Sequence, residues 1–390
     1  MKRIAKGMLV VMVTIAAAGL IVFSASAQTA KPGKAPMGKP GAPGKGKPAI
    51  NQEEMNNMVA MANAHLKHRF TPVIKSVSFG PAIAGKPVKV TLSAAYDDKK
   101  AIDKIKQAAV YYSTDGGSSF NGPVMLKQSG AAWSGNIPAI KKKGKVIVMP
   151  WVKDSYGNVS VNLTCNVKSW PPVDDGCMAP AAVDKAPEDD PSSSVEDEFD
   201  IWEIKVGMDS QYLYLTQSVE GDISKGTMNP PHINAYIALA VETPELYKMS
   251  DITMMMSPDA KEKYKGKENA AMIVFYAPLA KAAASSAASA SSQKGGSGGG
   301  GMKIPTCGVP RMAGGKAEIN SKDVTCKADG SELYIRIDKK LLTDSMKKGF
   351  TLLGAMDGFL DNLSGASLPK VREVANFTRV NVAPSSFTVK

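Results

Sequence analysis

Short runs of alternating apolar and polar residues fill residues 69–168 and predict β-strands along that whole segment. The runs are rich in β-branched residues, and turn sequences such as Asp-Gly-Gly and Tyr-Gly-Asn separate them. The predicted strands are VIKSVSF, PVKVTLSAAY, AAVYYS, AAWSGNIPA, KVIVMPWVKD and NVSVNL. Several strands of this length, spaced in this way, indicate an antiparallel β-sandwich.

Residues 178–390 also contain strand-like runs, with longer connections between them. These runs are FDIWEIKV, YLYLTQSV, INAYIALAVE, AMIVFYAPL, ELYIRI and FTLLGAMDG. The Pro-rich segment 169–177 lies between the two halves and is predicted to be a linker. The pattern therefore predicts an all-β protein with two β-sandwich domains.

Two segments lack the apolar residues that a packed core needs. Pro, Gly and Lys dominate residues 28–50, which predicts a disordered basic spacer. Residues 281–301 consist almost entirely of Ala, Ser and Gly, and we expect a mobile loop inside the second domain.

The first 27 residues have the order of a secretory signal peptide. Basic residues precede an apolar run at 8–23, and Ala25 and Ala27 then form an Ala-x-Ala cleavage site. The alternative is a membrane anchor, but the run is shorter than the roughly 20 residues that span a bilayer. We therefore expect cleavage after Ala27, export, and no membrane span in the mature protein.

Residues 51–68 predict one short amphipathic helix, because apolar residues recur there at spacings of three and four. The helix either packs on the following domain or binds a partner. His65 and His68 are three positions apart on it, but no carboxylate or Cys pair accompanies them, so only adventitious metal binding is expected.

The first predicted sandwich is similar to bacterial immunoglobulin-like or fibronectin type III-like modules. The similarity rests on PVKVTLSAAYDD, VYYSTDGGSSF, WSGNIPA and VKDSYGNVS, which follow one another in that order. In such modules a strand ending in Tyr-Tyr-Ser enters an Asp-Gly-Gly turn, and a later strand ends in Asp-x-x-Gly-Asn. The resemblance implies an Ig-like fold and assigns no function.

The second half resembles family-9 carbohydrate-binding modules and their DOMON-like relatives. The pattern D-x-x-x-I-x-V-x-x-D-x-x-Y-L-Y-L runs from Asp200 to Leu215, and ELYIRIDKKLL and TRVNV match later strands. The resemblance implies a jelly-roll-like binding domain over residues 178–390. It also implies a glycan ligand, since these modules stack sugars on aromatic rings. Trp202, Tyr212 and Tyr214 are the ligand-binding candidates, although Trp202 is the only Trp after the linker.

The acidic residues at the start of this pattern are suited to binding calcium. Asp197, Glu198 and Asp200 offer hard oxygen ligands beside a predicted strand, where the resembled modules often hold a structural calcium. The alternative is a solvated acidic linker. Haem is a further alternative, because some relatives bind it through Met, and Met254, Met255 and Met256 are consecutive here.

The four cysteines predict disulfides, because an even count in an exported protein favours pairing. Three pairings are possible, and sequence proximity favours Cys165 with Cys177 and Cys307 with Cys326. A metal site is the alternative, but the chain has no C-x-x-C and no His near these residues.

The net charge of +12 is unevenly distributed. Lysines outnumber acids in the first sandwich, whereas acids outnumber bases after it, which argues against one continuous nucleic-acid surface. Attraction of the basic half to anionic lipid or polysaccharide remains open. No nucleophile elbow, H-E-x-x-H, P-loop or dinucleotide motif occurs, so no enzymatic activity is expected.

Together these features predict an exported binding or scaffolding protein of the cell envelope or extracellular space. Its expected ligand is a glycan or a protein partner. The alternative from another class is an accessory subunit of an envelope complex that processes polysaccharide or carries out haem-based redox chemistry.

Overall fold

A computed structural model describes residues 67–68, 70–183, 200–223, 233–240, 271–276, 307–313, 316–359, 369–374 and 376–390. The predicted signal peptide, spacer and low-complexity loop lie outside these ranges, as does the predicted helix apart from its last two residues. Within the described ranges the long elements are all β-strands, so the predicted all-β fold class is confirmed.

Six of the first nine strands occupy positions that the alternating pattern predicted, whereas the fourth, fifth and ninth lie where no strand was predicted. The nine strands are β1 (Val73–Phe79), β2 (Val88–Ala95), β3 (Ile105–Ser113), β4 (Asn121–Met125), β5 (Lys127–Ser129), β6 (Ala132–Ile137), β7 (Gly144–Asp154), β8 (Val159–Leu163) and β9 (Ala179–Val183).

Seven of the remaining twelve strands lie where the sequence pattern predicted strands, and a short 3-10 helix is present at Lys339–Leu341. The twelve strands are β10 (Ile201–Met208), β11 (Tyr212–Val219), β12 (Ile233–Ala240), β13 (Ala271–Tyr276), β14 (Cys307–Ala313), β15 (Lys316–Asn320), β16 (Val324–Asp329), β17 (Glu332–Asp338), β18 (Gly349–Phe359), β19 (Pro369–Val374), β20 (Thr378–Val382) and β21 (Ser385–Val389).

These strands form three sheets. A four-stranded sheet has the order β1-β2-β6-β5, and a five-stranded sheet has the order β16-β17-β11-β10-β9. The third sheet has twelve strands, in the order β15-β14-β13-β12-β18-β20-β8-β7-β3-β4, with β19 beside β18 and β21 beside β7. One long sheet therefore serves both halves of the protein.

The four-stranded sheet packs on the β3–β7 region of the long sheet and forms the first β-sandwich. Val88, Val90 and Leu92 alternate along β2, are inaccessible to solvent, and share a core with Val148 and Val152 of β7. The residues between them on β2 are exposed or half-buried, as the two-residue period of a strand requires. This core is that of the predicted Ig-like module.

A second core lies between the five-stranded sheet and the other part of the long sheet. Leu213 and Leu215 of β11 and Ile335 of β17 face it from one side. Ile237 of β12 and Phe350 of β18 face it from the other. Two layers around each core give the two-sandwich architecture that the sequence pattern predicted.

Strand β7 belongs to both cores. Val146, Val148 and Val152 point into the first core, whereas Met149 and Trp151 pack against the second. A strand covered on both faces has no solvent-facing positions to alternate with, which explains its nearly continuous apolar sequence.

The last two strands return to the first sandwich. Strand β20 lies between β18 and β8 and pairs in parallel with β8, from Thr378 opposite Val159 to Val382 opposite Leu163. Strand β21 then continues past the end of β8 and pairs with the first half of β7. The predicted strand TRVNV is present, and it joins the two halves of the long sheet.

The Asp-x-x-Gly-Asn sequence after β7 forms a tight turn around a buried carboxylate. Asp154 accepts hydrogen bonds from the backbone amides of Tyr156, Gly157 and Asn158 at 2.9–3.0 Å. Its other oxygen accepts from the Tyr96 hydroxyl at 3.0 Å. The Asp is therefore needed to close this turn, which accounts for the motif structurally.

Candidate functional site

The linker 169–177 folds into an ordered loop on the outer face of the five-stranded sheet. The Cys165–Cys177 disulfide closes the loop, with Cα atoms 5.5 Å apart. Inside it, one carboxylate oxygen of Asp175 accepts from the backbone amide of Lys168 at 2.7 Å, and the other accepts from that of Cys177 at 3.0 Å. The loop is thus fixed by a covalent bond and by the hydrogen bonds that the Asp175 carboxylate accepts.

Two glycines allow the loop to lie this close to its neighbours. A Cβ on Gly207 of β10 would come within 2.4 Å of Val167 Cγ2 and 2.5 Å of Met178 Sδ. A Cβ on Gly117, in the Asp-Gly-Gly turn, would come within 2.9 Å of both disulfide sulfurs. The predicted turn glycine therefore also makes room for the disulfide.

The loop brings Trp170 to a group of three residues on the outer face of the sheet, and we call the four together the aromatic–arginine cluster: Trp170, Tyr212, Tyr214 and Arg336. The Arg336 guanidinium carbon lies 4.9 Å from the Trp170 ring centroid and 4.7 Å from that of Tyr212. The Tyr214 ring centroid lies 6.1 Å from each of the two other rings. A cation held against two aromatic faces is stabilised by their quadrupoles.

Strand register explains why these residues meet. Tyr212 and Tyr214 are two positions apart on β11, so both point to its outward face. Tyr214 lies opposite Arg336 of β17. Gly207 lies opposite Tyr214 on the other side, so no side chain there separates Tyr214 from the loop. Tyr214 packs with Val167 and is almost fully buried, whereas Trp170, Tyr212 and Arg336 remain partly exposed.

Asp209 fixes the orientation of both tyrosines. One carboxylate oxygen accepts from the backbone amides of Gln211 and Tyr212, each at 2.6 Å, and the other accepts from the Tyr214 hydroxyl at 2.6 Å. Burial opposes ionisation of Asp209, but these hydrogen bonds outweigh it and lower the pKa of the carboxyl. The pKa of Tyr214 is raised, by burial first and then by its hydrogen bond to Asp209.

The Arg336 guanidinium keeps its hydrogen-bonding capacity. Within the described ranges, no hydrogen bond or ion pair engages its side chain. Its planar fork of N–H donors matches the two oxygens of a carboxylate. The cluster therefore presents a positioned, partly exposed donor group between aromatic rings.

The structure brings together two of the three predicted ligand residues. Tyr212 and Tyr214 are in the cluster, but Trp202 lies at the other end of β10 from Gly207, about 17 Å away at the usual rise of a strand. Trp202 is 41% exposed and separate from the cluster. Sequence reasoning missed Trp170 and Arg336, although Arg336 occupies an outward position in the predicted strand ELYIRI.

The calcium prediction stays a prediction. Asp197 and Glu198 lie outside the described residues, as do Met254, Met255 and Met256 of the haem alternative. Asp200 is half-buried at the start of β10, and its backbone carbonyl accepts from the Glu220 amide at 3.1 Å. The described part of the chain contains no group of three His, Cys, Asp or Glu residues arranged to hold a metal.

His68 makes structural contacts with the first sandwich. Its Nδ1 lies 3.0 Å from the carboxylate of Asp103, and its ring stacks on Tyr156 with centroids 3.8 Å apart. His65 lies outside the described residues. These contacts attach the segment before β1 to the turn that follows β7.

Both predicted disulfides are present, since Cys307 and Cys326 are also bonded, with Cα atoms 5.9 Å apart. Two disulfides indicate an oxidising, exported environment. Among the residues that the structure describes, no helix is long and apolar enough to span a bilayer.

Comparisons with known proteins do not assign a family. No family model matches the chain, and no curated protein matches it. The solved structures that resemble it include the Dpr2 Ig1-Ig2 in complex with DIP-Theta Ig1-Ig3, at 9% identity and a TM-score of 0.15, with 80% of this chain and 100% of that chain covered. Another is the collagen binding domain of Erysipelothrix rhusiopathiae surface protein RspB, at 8% identity and a TM-score of 0.12, with 82% and 99% covered. Similarities this low carry no inference about fold or partner.

Proposed function

We propose that this chain is an exported, non-enzymatic binding protein of the cell envelope or extracellular space. The aromatic–arginine cluster is its recognition site, and its ligand is a carboxylate-rich segment of a partner protein. The observation that carries the proposal is the Arg336 guanidinium, which two aromatic rings hold in place while its own donors stay unpaired within the described residues.

The composition of the cluster supports a protein partner. Trp, Tyr and Arg are the residue types that most often dominate the binding energy of protein interfaces. Here they are already ordered by Asp209 and by the disulfide-closed loop, so little side-chain entropy is lost on binding. Arg336 also occupies one face of each of two rings, which favours recognition of charge over stacking of a sugar.

The resemblance to carbohydrate-binding modules leads to a different expectation, namely a glycan stacked on Trp202. Trp202 is exposed at the other end of β10, so the two candidates can be separated by substitution. The accessory-subunit alternative also requires a protein partner, and it would use the same cluster.

The proposal is tested by binding of the full-length chain to an array of acidic peptides, with Gln-substituted copies of each peptide as controls. We expect binding to the acidic peptides that Arg336→Gln reduces at least tenfold and that Trp202→Ala leaves unchanged. A charged pair with good geometry contributes enough energy for a loss of this size.

A glycan array provides the competing outcome. Glycan binding that requires Trp202 and is unaffected by Arg336→Gln would contradict the proposal. Acidic-peptide binding that Arg336→Gln leaves intact would also contradict it, because the attraction would then come from other basic residues of the chain.

A further inference from the structure

Three segments of the chain meet at one end of the first β-sandwich. The Gly85 amide, in the β1–β2 loop, donates to the carbonyl of Ile140 in the β6–β7 loop at 2.9 Å. The Ala84 amide donates to the carbonyl of Lys390, which follows β21, at 3.1 Å, and the Lys390 amide donates to the carbonyl of Ala82 at 3.0 Å. These backbone hydrogen bonds hold the three segments against one another.

Each of the three segments carries exposed lysines, and we call this group the lysine end: Lys86, Lys141, Lys142, Lys143, Lys145 and Lys390. No Asp or Glu occurs in residues 80–93, 134–148 or 383–390, which form this end of the sandwich. None of the ion pairs within the described ranges involves these lysines. Their positive charge is therefore concentrated and uncompensated by neighbouring side chains.

An exposed aliphatic side chain lies among these lysines. Ile83 is 49% exposed in the turn that the Lys86 amide closes by donating to the Ile83 carbonyl at 3.0 Å. The same turn is bonded to Lys390 through Ala84. An exposed apolar group in the same turn as exposed lysines combines the two properties that peripheral membrane binding requires.

We propose that the lysine end docks the protein on the surface of an anionic phospholipid membrane. The lysines contact the lipid phosphates, and Ile83 inserts at the boundary between headgroups and acyl chains. This inference is independent of the aromatic–arginine cluster and goes beyond the function proposed for it.

Charge complementarity alone would also suit an anionic polysaccharide, but Ile83 favours the bilayer. A hydrated polysaccharide offers an aliphatic side chain nothing apolar to contact, whereas a membrane interface does. The backbone hydrogen bonds also keep the lysines on one end of a rigid sandwich, so they can meet a flat surface together.

The test is sedimentation of the disulfide-bonded chain from Gln28 onward, without the predicted signal peptide, with two sets of vesicles. One set is phosphatidylcholine alone, and the other is equal parts of phosphatidylcholine and phosphatidylglycerol. We expect binding only to the second set, and binding that weakens as salt rises. Replacing Lys141, Lys142 and Lys143 with Ser should weaken it about 100-fold, from the contribution of each lysine near an anionic surface.

A matched variant replaces Lys99, Lys100 and Lys104 with Ser. These lysines are also exposed, lie near the opposite end of the same sandwich and carry the same total charge. The predicted spacer is unchanged in both variants, so its lysines contribute equally. The proposal requires the matched variant to bind within a few-fold of the parent, and Ile83→Ser to weaken vesicle binding without changing binding to alginate.

Three results would overturn the proposal. The first is equal loss in both triple variants, which would mean that only net charge matters. The second is full binding by the variant that lacks the three lysines of the lysine end. The third is binding to alginate together with no binding to the anionic vesicles, which would assign the surface to a polysaccharide.

Discussion

The side chain of Asn158 accepts a hydrogen bond from the backbone amide of Phe377 at 3.1 Å, although 219 residues separate the two in sequence. Its amide nitrogen donates to the carbonyl of His68 at 2.6 Å and to the carboxylate of Asp154 at 3.0 Å. This one buried side chain thus connects the segment before β1, the turn after β7 and the start of β20. The Asn of the Asp-x-x-Gly-Asn motif is therefore one of the points at which the returning end of the chain is bonded to the first sandwich.

We predict that Asn158→Ala lowers the free energy of unfolding by about 2–4 kcal/mol, because buried polar partners lose their hydrogen bonds. Urea-induced unfolding followed by fluorescence would measure the change. Asn121→Ala is the control, since Asn121 is exposed and its side chain donates to the Tyr112 carbonyl at the long distance of 3.5 Å. An equally small effect of both substitutions would show that Asn158 does not connect these segments.

Gly207→Ala is predicted to destabilise the protein by about 1–3 kcal/mol, because the added methyl group collides with Val167 and Met178. The linker must then move away from the sheet and take Trp170 with it, so acidic-peptide binding should weaken as well. Gly85→Ala is the control, since its Cβ would meet open space and only the positive φ of 76° opposes it.

A second substitution makes the Gly207 prediction more specific. Val167→Ala in the Gly207→Ala background removes one of the two colliding groups and should recover part of the lost stability. Residues in contact couple in this way, whereas distant residues add independently. Purely additive losses would contradict the collision.

The strands were predictable from sequence because their period is local. The alternation in β2 reflects one buried and one open face, and β2 and β11 both lie where their patterns predicted strands. In β11 nearly every residue is buried, because the 169–177 loop also covers part of its outward face. Strand β7 could be recognised as a strand but not assigned to two cores, since a continuous apolar run does not reveal which layers cover it. The parallel pairing of β20 with β8 depends on contacts between distant residues that no local period encodes.

The candidate site was only partly predictable for a related reason. Tyr212 and Tyr214 could be identified because both lie on one face of a recognisable strand. Trp170 lies in a Pro-rich segment that was interpreted as a passive linker, and it reaches the sheet because a disulfide and Asp175 fold that segment over Gly207. Arg336 joins them through cross-strand register, which requires knowing that β11 and β17 are neighbours.

Asp209 gives a prediction about pH. Its folded-state pKa is lowered, so its contribution to stability is present above the usual Asp pKa of about 3.9 and is lost as pH falls through the lower folded value. We expect Asp209→Asn to be less stable than the parent at neutral pH and to lose less further stability on acidification. Urea midpoints at neutral and acidic pH would measure this.

Tyr214→Phe should reproduce part of that effect, because it removes the hydroxyl that donates to Asp209. Tyr334→Phe is the matched control, because Tyr334 is a buried tyrosine of the same sheet. Within the described residues, its side chain makes no hydrogen bond to Asp209 or to Tyr214. Acid sensitivity that is the same in the parent and in Asp209→Asn would contradict the prediction.

The two disulfides allow stability and recognition to be separated. The Cys165–Cys177 bond closes a separation of 12 residues and the Cys307–Cys326 bond one of 19, so each should contribute about 3 kcal/mol in the chain-entropy model. Replacing either pair with Ala should therefore lower the urea midpoint to a similar extent. Only the Cys165–Cys177 replacement frees the loop that carries Trp170, so only it should also weaken acidic-peptide binding under conditions in which the chain remains folded. If the Cys307–Cys326 replacement weakens that binding as much, the disulfide-closed loop does not position the recognition site.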